Sequence, residues 1–252
     1  MDLKNKEVLL TRPYKVVYRD GERIVKVFTK EHGKANVFNE ALCQARVEES
    51  GLSIPPVLEV NQIDGEWALS IQFVEGENLQ SLMEKHPENI ESYMEQFVDL
   101  QLSMHAKKAP RLTLQKDKLA RKISSLGNIL NATVRYELLT RLDSMPNHTK
   151  LCHGDFNPAN VIVKKDGSMV IVDWAHATQG NASADAAITY LQFALKDEKL
   201  AKLYLKIFCQ KSDTAMQYVQ KWLPLAAAAQ LTRGVPEEKE FLLHWTDIID
   251  FQ

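Results

Sequence analysis

Asn160 and Asp173 close the open end of a stretch that reads as a β-hairpin, and an amide oxygen beside a carboxylate suits a small hard cation. The hairpin reading rests on two short β-branched runs, Val161-Ile162-Val163 and Val170-Ile171-Val172, which flank the dipeptide Asp166-Gly167. Asp-Gly between alternating apolar runs predicts a two-residue type I′ turn, whose central residues both need positive φ. With that turn, Lys165 opposes Ser168, Val163 opposes Val170, and Asn160 opposes Asp173. Directly opposed residues hold their Cβ atoms about 4.5–5.5 Å apart. Two oxygen donors so placed can share Mg²⁺, which binds at about 2.0–2.1 Å per oxygen.

Five residues before Asn160 stands Asp155, two after His153, and together they make His-x-Asp-x-x-x-x-Asn. This is the catalytic-loop spacing of kinases, in which the Asp takes the acceptor proton and the Asn and a later Asp hold metal. The full runs are His153-Gly154-Asp155-Phe156-Asn157-Pro158-Ala159-Asn160 and Ile171-Val172-Asp173-Trp174. They resemble the two signatures of the aminoglycoside phosphotransferase/choline kinase family, small-molecule kinases of the protein-kinase-like fold. His-Gly-Asp and Asp-Trp, in place of His-Arg-Asp and Asp-Phe-Gly, point to this branch and away from protein kinases. A chance hairpin with polar ends would explain Asn160 and Asp173, but not His153, Asp155 and an upstream lysine in the same pattern.

The resemblance implies a set of roles. Asp155 would orient and deprotonate an acceptor hydroxyl, and Asn160 and Asp173 would hold Mg²⁺. Lys26, in Ile24-Val25-Lys26-Val27, matches the strand lysine that holds the α- and β-phosphates, and Glu40 matches the helix glutamate that pairs with it. The carbonyl of Gln72 and the amide of Val74 would meet the adenine in the connector Ile71-Gln72-Phe73-Val74-Glu75-Gly76. His153 would fix the loop, and Asp185 would brace it from below. Trp174, His176 and Asn181 either line the acceptor pocket or are structural. The implied donor is ATP, with GTP left open, and the implied partner is a small hydroxylated acceptor.

These residues need elements to carry them. Tyr14–Tyr18 and Ile24–Phe28 read as strands about Asp20-Gly21, with Lys26 on the face opposite Val25 and Val27. A helix over 35–50, stopped by Gly51, carries the apolar stripe Phe38, Ala41, Leu42 and Ala45, with Glu40 off its centre and Glu48 and Glu49 as rivals at its end. Strands follow around a turn at Asn61–Gly65. From Asn78 the chain turns helical: Asn78 caps one helix and Pro87 opens another with Ile90, Tyr93, Met94, Phe97 and Met104 on one side. At least two more helices lie in 115–145, one is capped by Ser183, two cover about 198–209 and 214–232, and Pro236 starts the last. The expected architecture is α+β and two-lobed, protein-kinase-like: a small antiparallel-sheet N-lobe over 1–73 and a larger, mainly helical C-lobe over 74–252.

A chain of 252 residues with net charge −2 has no long basic run, which argues against nucleic acid as a partner. It has no apolar run of the ~18 residues needed to span a bilayer, and no signal peptide is expected at Met1–Lys6. Cys43, Cys152 and Cys209 lack metal-type spacing and read as buried thiols, so the expectation is a soluble cytoplasmic protein. The oligomeric state is left open. Glu237, Glu238, Asp247 and Asp250 either attract a cationic acceptor or form an ordinary solvated face. The segment expected to cover the phosphates, Leu10–Lys15, has no glycine, and Asn157 stands where the family commonly has His. Arg12 or Lys15 would then supply charge in place of backbone approach. The missing glycine also supports a rival reading, a catalytically silent pseudokinase that senses nucleotide or serves as an interaction module.

Overall fold

Five strands and one helix fill most of the first eighty positions, and the strands pair into a single antiparallel sheet. The computed structural model describes residues 3–246, so Asp247 and Asp250 lie outside the described residues. Strands β1 (Lys6–Arg12), β2 (Lys15–Asp20) and β3 (Arg23–Phe28) precede helix α1 (Lys34–Glu48), then β4 (Val57–Ile63) and β5 (Glu66–Gln72). They form one five-stranded sheet in the order β1-β2-β3-β5-β4. A second, three-stranded sheet joins β6 (Glu77–Asn78) to β8 (Val161–Val163) and β9 (Met169–Ile171). The chain divides into two compact units, residues 1–82 with 159–177 and residues 83–158 with 178–252. The first therefore takes in more than residues 1–73, because the β8–β9 hairpin and its sequel pack on α1 and β6.

Three Asp-Gly dipeptides fold in three ways. Only Asp64-Gly65, joining β4 to β5, has both residues at positive φ (51° and 81°) with Ile63 opposite Glu66, as a type I′ turn requires. At the β2–β3 turn the loop is Gly21-Glu22, one residue later than expected, with positive φ at Gly21 alone. At the β8–β9 turn the Gly167 amide donates to the Lys164 carbonyl, and the Lys164 amide donates to Ser168, so the loop has three residues. Asp166 accepts from both the amide and the hydroxyl of Ser168 (2.9 and 2.6 Å), which holds it in place as the turn's own cap. Gly167 alone takes the left-handed conformation, at φ 81°. The expected register is thus corrected by one residue: Val163 pairs with Met169, Val161 with Ile171, and the Asn160 carbonyl accepts from the Val172 amide.

Helix α1 also differs from expectation. It ends at Glu48, and its buried face is Val37, Glu40, Ala41, Cys43, Gln44 and Val47, while Phe38 and Leu42 are exposed. Glu40 sits at the centre of that face. The expected stripe followed apolar type alone, whereas the real one includes two polar side chains with buried partners: Lys26 for Glu40 and the Pro55 carbonyl for Gln44.

The second unit is mainly helical. The remaining helices are α2 (Leu79–Lys85), α3 (Ile90–His105), α4 (Gln115–Ser125), α5 (Ala132–Ser144), α6 (Ala182–Ala194), α7 (Glu198–Ser212), α8 (Met216–Gln220), α9 (Leu223–Leu231) and α10 (Lys239–Trp245). A short ribbon pairs β7 (Lys150–Cys152) with β10 (Thr178–Gly180). Asn78 caps α2 by accepting from the Ser81 amide, and Asn181, not Ser183, caps α6. The helix expected over 214–232 is two, because Pro224 has no amide to continue a ladder and opens α9 instead. Every residue of α9 is buried, so α9 forms the helical core against which α4, α6 and α10 pack. No helix among the described residues is long and apolar enough to cross a membrane.

Candidate active site

In the first unit the three charged residues expected at the phosphates converge. Lys26 points from β3 away from Val25 and Val27, and its ammonium donates to Glu40 Oε1 at 2.6 Å and to Asp173 Oδ1 at 2.7 Å. Lys26 and Glu40 are both buried, while the Asp173 side chain keeps a third of its exposure. Burial alone would lower the Lys26 pKa. The charges of Asp173 and Glu40, with their hydrogen bonds, outweigh it and raise the pKa above the usual lysine value. Lys26 is thus a permanent cation. Lys15 adds a second, its ammonium 3.8 Å from Asp173 Oδ2. It starts β2 directly after the Pro13-Tyr14 turn, where no glycine stands.

Asp173 adopts φ 64°, ψ 64°, a left-handed conformation outside glycine. Asp tolerates this region better than most residues, yet such positions carry strain of about 1–3 kcal/mol and cluster at functional sites. The turn breaks the strand just after β9 and aims the carboxylate at Lys26 and Lys15. Sequence periodicity had Asp173 in plain extended register opposite Asn160, and nothing in residue type announces the reversal. Trp174, the next residue, is fully buried with its indole N–H donating to the Ile171 carbonyl at 3.1 Å, so it anchors the turn from inside.

The same unit holds a cavity of about 450 Å³ lined by Ile54, Gln72, Phe73, Val74, Lys164 and Val170, among others. Gln72 and Val74 therefore face a common space, walled by apolar Ile54, Phe73 and Val170 and by charged Glu75, Lys165 and Asp166. The connector that follows runs hard against β8. A Cβ on Gly76 would lie 2.4 Å from the Val163 carbonyl oxygen, so only glycine fits there.

In the second unit Asp155 sits on a loop fixed from below. Asp185 is fully buried in the first turn of α6 and accepts from the amides of His153 (3.2 Å) and Gly154 (2.7 Å) and faces His105 Nε2 at 3.0 Å. Burial pushes its pKa up, but the His105 hydrogen bond and charge and the Gly154 amide more than offset this, and the carboxyl is held below its ordinary value. His153 is also buried, and its Nδ1 faces the Asp155 amide at 3.2 Å, which makes it a brace. Asn157 donates to the Asp155 carbonyl at 3.0 Å. The Asp155 carboxylate accepts from Gln192 Nε2 of α6, a partner that sequence reading missed. Gln192 lies seven residues after Asp185, two helical turns along one face, and that spacing was the available signal. Asn181 caps α6 and donates to the Tyr218 hydroxyl, while His176 is exposed.

Cys152 neighbours Asp185, and burial together with that charge pushes its thiol pKa well up, so it stays protonated. Cys43 is buried as expected, whereas Cys209 is only half-buried.

An antiparallel-sheet N-terminal lobe and a helical C-terminal part, with these motifs, define a protein-kinase-like fold. Residues 9–218 match the phosphotransferase enzyme family (APH), and the chain belongs to that family. Among solved structures, it resembles a thermostable mutant of aminoglycoside phosphotransferase APH(4)-Ia in ternary complex with AMP-PNP and hygromycin B. That likeness has a TM-score of 0.72 at 14% identity, covering 97% of this chain and 91% of the other. Aminoglycoside-3'-phosphotransferase of type VIII gives 0.68 at 17% identity, covering 91% and 94%. LicA in complex with AMP gives 0.67 at 17% identity, covering 99% and 94%. These identities carry the fold alone. No curated protein matches by sequence.

Proposed function

We propose that this chain transfers the γ-phosphoryl group of ATP to a hydroxyl of a small molecule. The observation that carries this reading is the Glu40–Lys26–Asp173 network, which holds a buried ammonium on strand β3 between two carboxylates. Lys26 and Lys15 bind and orient the donor phosphates, Glu40 keeps Lys26 in one rotamer, and the main chain of Gln72 and Val74 meets the base. Asp173 and Asn160 offer only oxygen donors, a set that fits Mg²⁺. When bound, that ion supplies neutralising charge at the phosphates.

Asp155 is the base. With one carboxylate oxygen engaged by Gln192, the carboxylate receives the hydroxyl proton as the hydroxyl oxygen bonds to the γ-phosphorus. The bond from that phosphorus to the β-phosphate oxygen breaks, and ADP leaves. Loss of such a base typically costs 10²–10⁴-fold. The nucleotides named with the similar structures, AMP-PNP and AMP, support a nucleotide donor here. The glycine-free turn Pro13-Tyr14 favours the second reading, a silent nucleotide-binding module. The test is ADP release with Mg·ATP across a panel of hydroxylated small molecules. Acceptor-dependent release that Asp155→Asn abolishes supports the enzyme. Nucleotide binding with no release above Asp155→Asn supports the silent module.

A further inference from the structure

The Asp155 side of the second unit carries basic groups that the transfer reaction does not use. Lys122 projects from α4 and its ammonium lies 3.3 Å from the Ala229 carbonyl of α9. It is half-buried, and among the described residues no carboxylate stands within 4.0 Å of it. The two charges that reach it are Arg233, just past the end of α9, and Asp155 itself. Burial and then the Arg233 guanidinium hold the Lys122 pKa below the usual lysine value, while Asp155 works the other way. Arg233 in turn has Glu238 at 3.8 Å and donates to Gln230. Glu238, one of the acidic residues weighed as a draw for a cationic acceptor, faces a guanidinium instead. What remains is a half-buried ammonium with a single carbonyl partner, within the electrostatic field of the base.

We propose that Lys122 is the acceptor anchor and that the acceptor is an alcohol bearing an anionic group, carboxylate or phosphate. The inference rests on the phosphotransferase reading and narrows its acceptor class. α6 brings Gln192 to Asp155 and α9 brings the Ala229 carbonyl to Lys122, and these two helices pack on each other. An anion on Lys122 thus sits within electrostatic reach of the base, and its own hydroxyl is left for Asp155. An acceptor bearing an ammonium would instead meet Lys122 and Arg233 as like charges, at a cost that desolvation enlarges.

The test uses four three-carbon alcohols that differ in charge: glycerate, glycerol 3-phosphate, glycerol and serinol. Each is read by ADP release and by calorimetric binding to the full chain loaded with Mg·AMP-PNP, so a compound that binds without reacting still counts. Wild type is expected to favour glycerate or glycerol 3-phosphate over serinol by about 30-fold or more, the scale of a partly buried charge pair. Which of the two anions wins separates carboxylate from phosphate. Lys122→Arg should keep the preference, Lys122→Gln should erase it, and Lys122→Glu should turn it toward serinol. Wild-type preference for serinol or glycerol overturns the inference, as does binding of none of the four. A uniform fall across the series in Lys122→Gln also overturns it, since that outcome marks a role independent of acceptor charge. Failure of wild type to bind Mg·AMP-PNP at all overturns the phosphotransferase reading itself.

Discussion

Asp185→Asn changes no volume and removes one charge from beneath the loop that carries Asp155. Asp185 meets three groups at 3.2, 2.7 and 3.0 Å: two backbone amides and one imidazole nitrogen. An asparagine oxygen can keep one amide. Its NH₂ then faces the other amide and His105 Nε2, and a tautomer change at His105 would move the proton to Nδ1, which is buried and has no partner. Two hydrogen bonds to a buried charge are lost, at about 1.5–3 kcal/mol each, so the expected destabilisation is about 3–6 kcal/mol. For a chain of this size that is on the order of 10 °C in melting temperature. The pH dependence has a fixed sign. A carboxyl held below its ordinary value contributes stability that is present above about pH 4, the unfolded value, and is lost as pH falls through the folded one. The gap between wild type and Asp185→Asn should therefore be full at pH 7 and close in acid. Thermal unfolding by circular dichroism at several pH values reads it directly. A variant melting within 2 °C of wild type at pH 7, or a gap that does not narrow in acid, would refute the brace.

Lys26→Ala should raise the KM for ATP or cut turnover by about 10²-fold in a chain that still folds, because Glu40 and Asp173 lose their shared cation; Glu40→Gln should give a milder form, and steady-state kinetics against ATP check both. If ATP kinetics are unchanged in folded Lys26→Ala, the lysine is not at the phosphates. Asp155→Asn should cut turnover by about 10²-fold or more while Mg·ATP affinity stays within about two-fold, as calorimetry and ADP release together can tell. Gly167→Val puts a β-branched residue at φ 81° in the loop joining β8 to β9, at a cost of about 1–3 kcal/mol. It should lower the melting temperature and the Mg²⁺ response together, since Asn160 and Asp173 flank that hairpin, and wild-type behaviour in both would sink the link.

Much of this site was legible because its residues are close in sequence or sit in strongly patterned strands. Lys26 could be assigned a face from Val25 and Val27 alone, and the His153–Asn160 run needs no tertiary contact to be recognised. What stayed hidden depends on distant partners. Glu40 looked peripheral because a buried ion pair places a charge where apolar counting expects none. The hairpin register slipped by one because the Asp166 side chain, by capping Ser168, favours a three-residue loop over the two-residue turn of its dipeptide. Asp64-Gly65 has the same two residue types and does form the two-residue turn. Gln192 and Lys122 were invisible for a plainer reason: each is an ordinary helical polar residue until α6 and α4 pack.

The central claim is that Asp173 serves the metal and the phosphates while Asp155 serves the acceptor. Calorimetric titration of ATP into the full chain, with and without Mg²⁺, in wild type, Asp173→Ala and Asp155→Asn, tests it most directly. Wild type and Asp155→Asn should both bind ATP more tightly when Mg²⁺ is present, and Asp173→Ala should lose that dependence. Equal loss of the Mg²⁺ effect in both variants, or no Mg²⁺-dependent ATP binding by wild type, would contradict it.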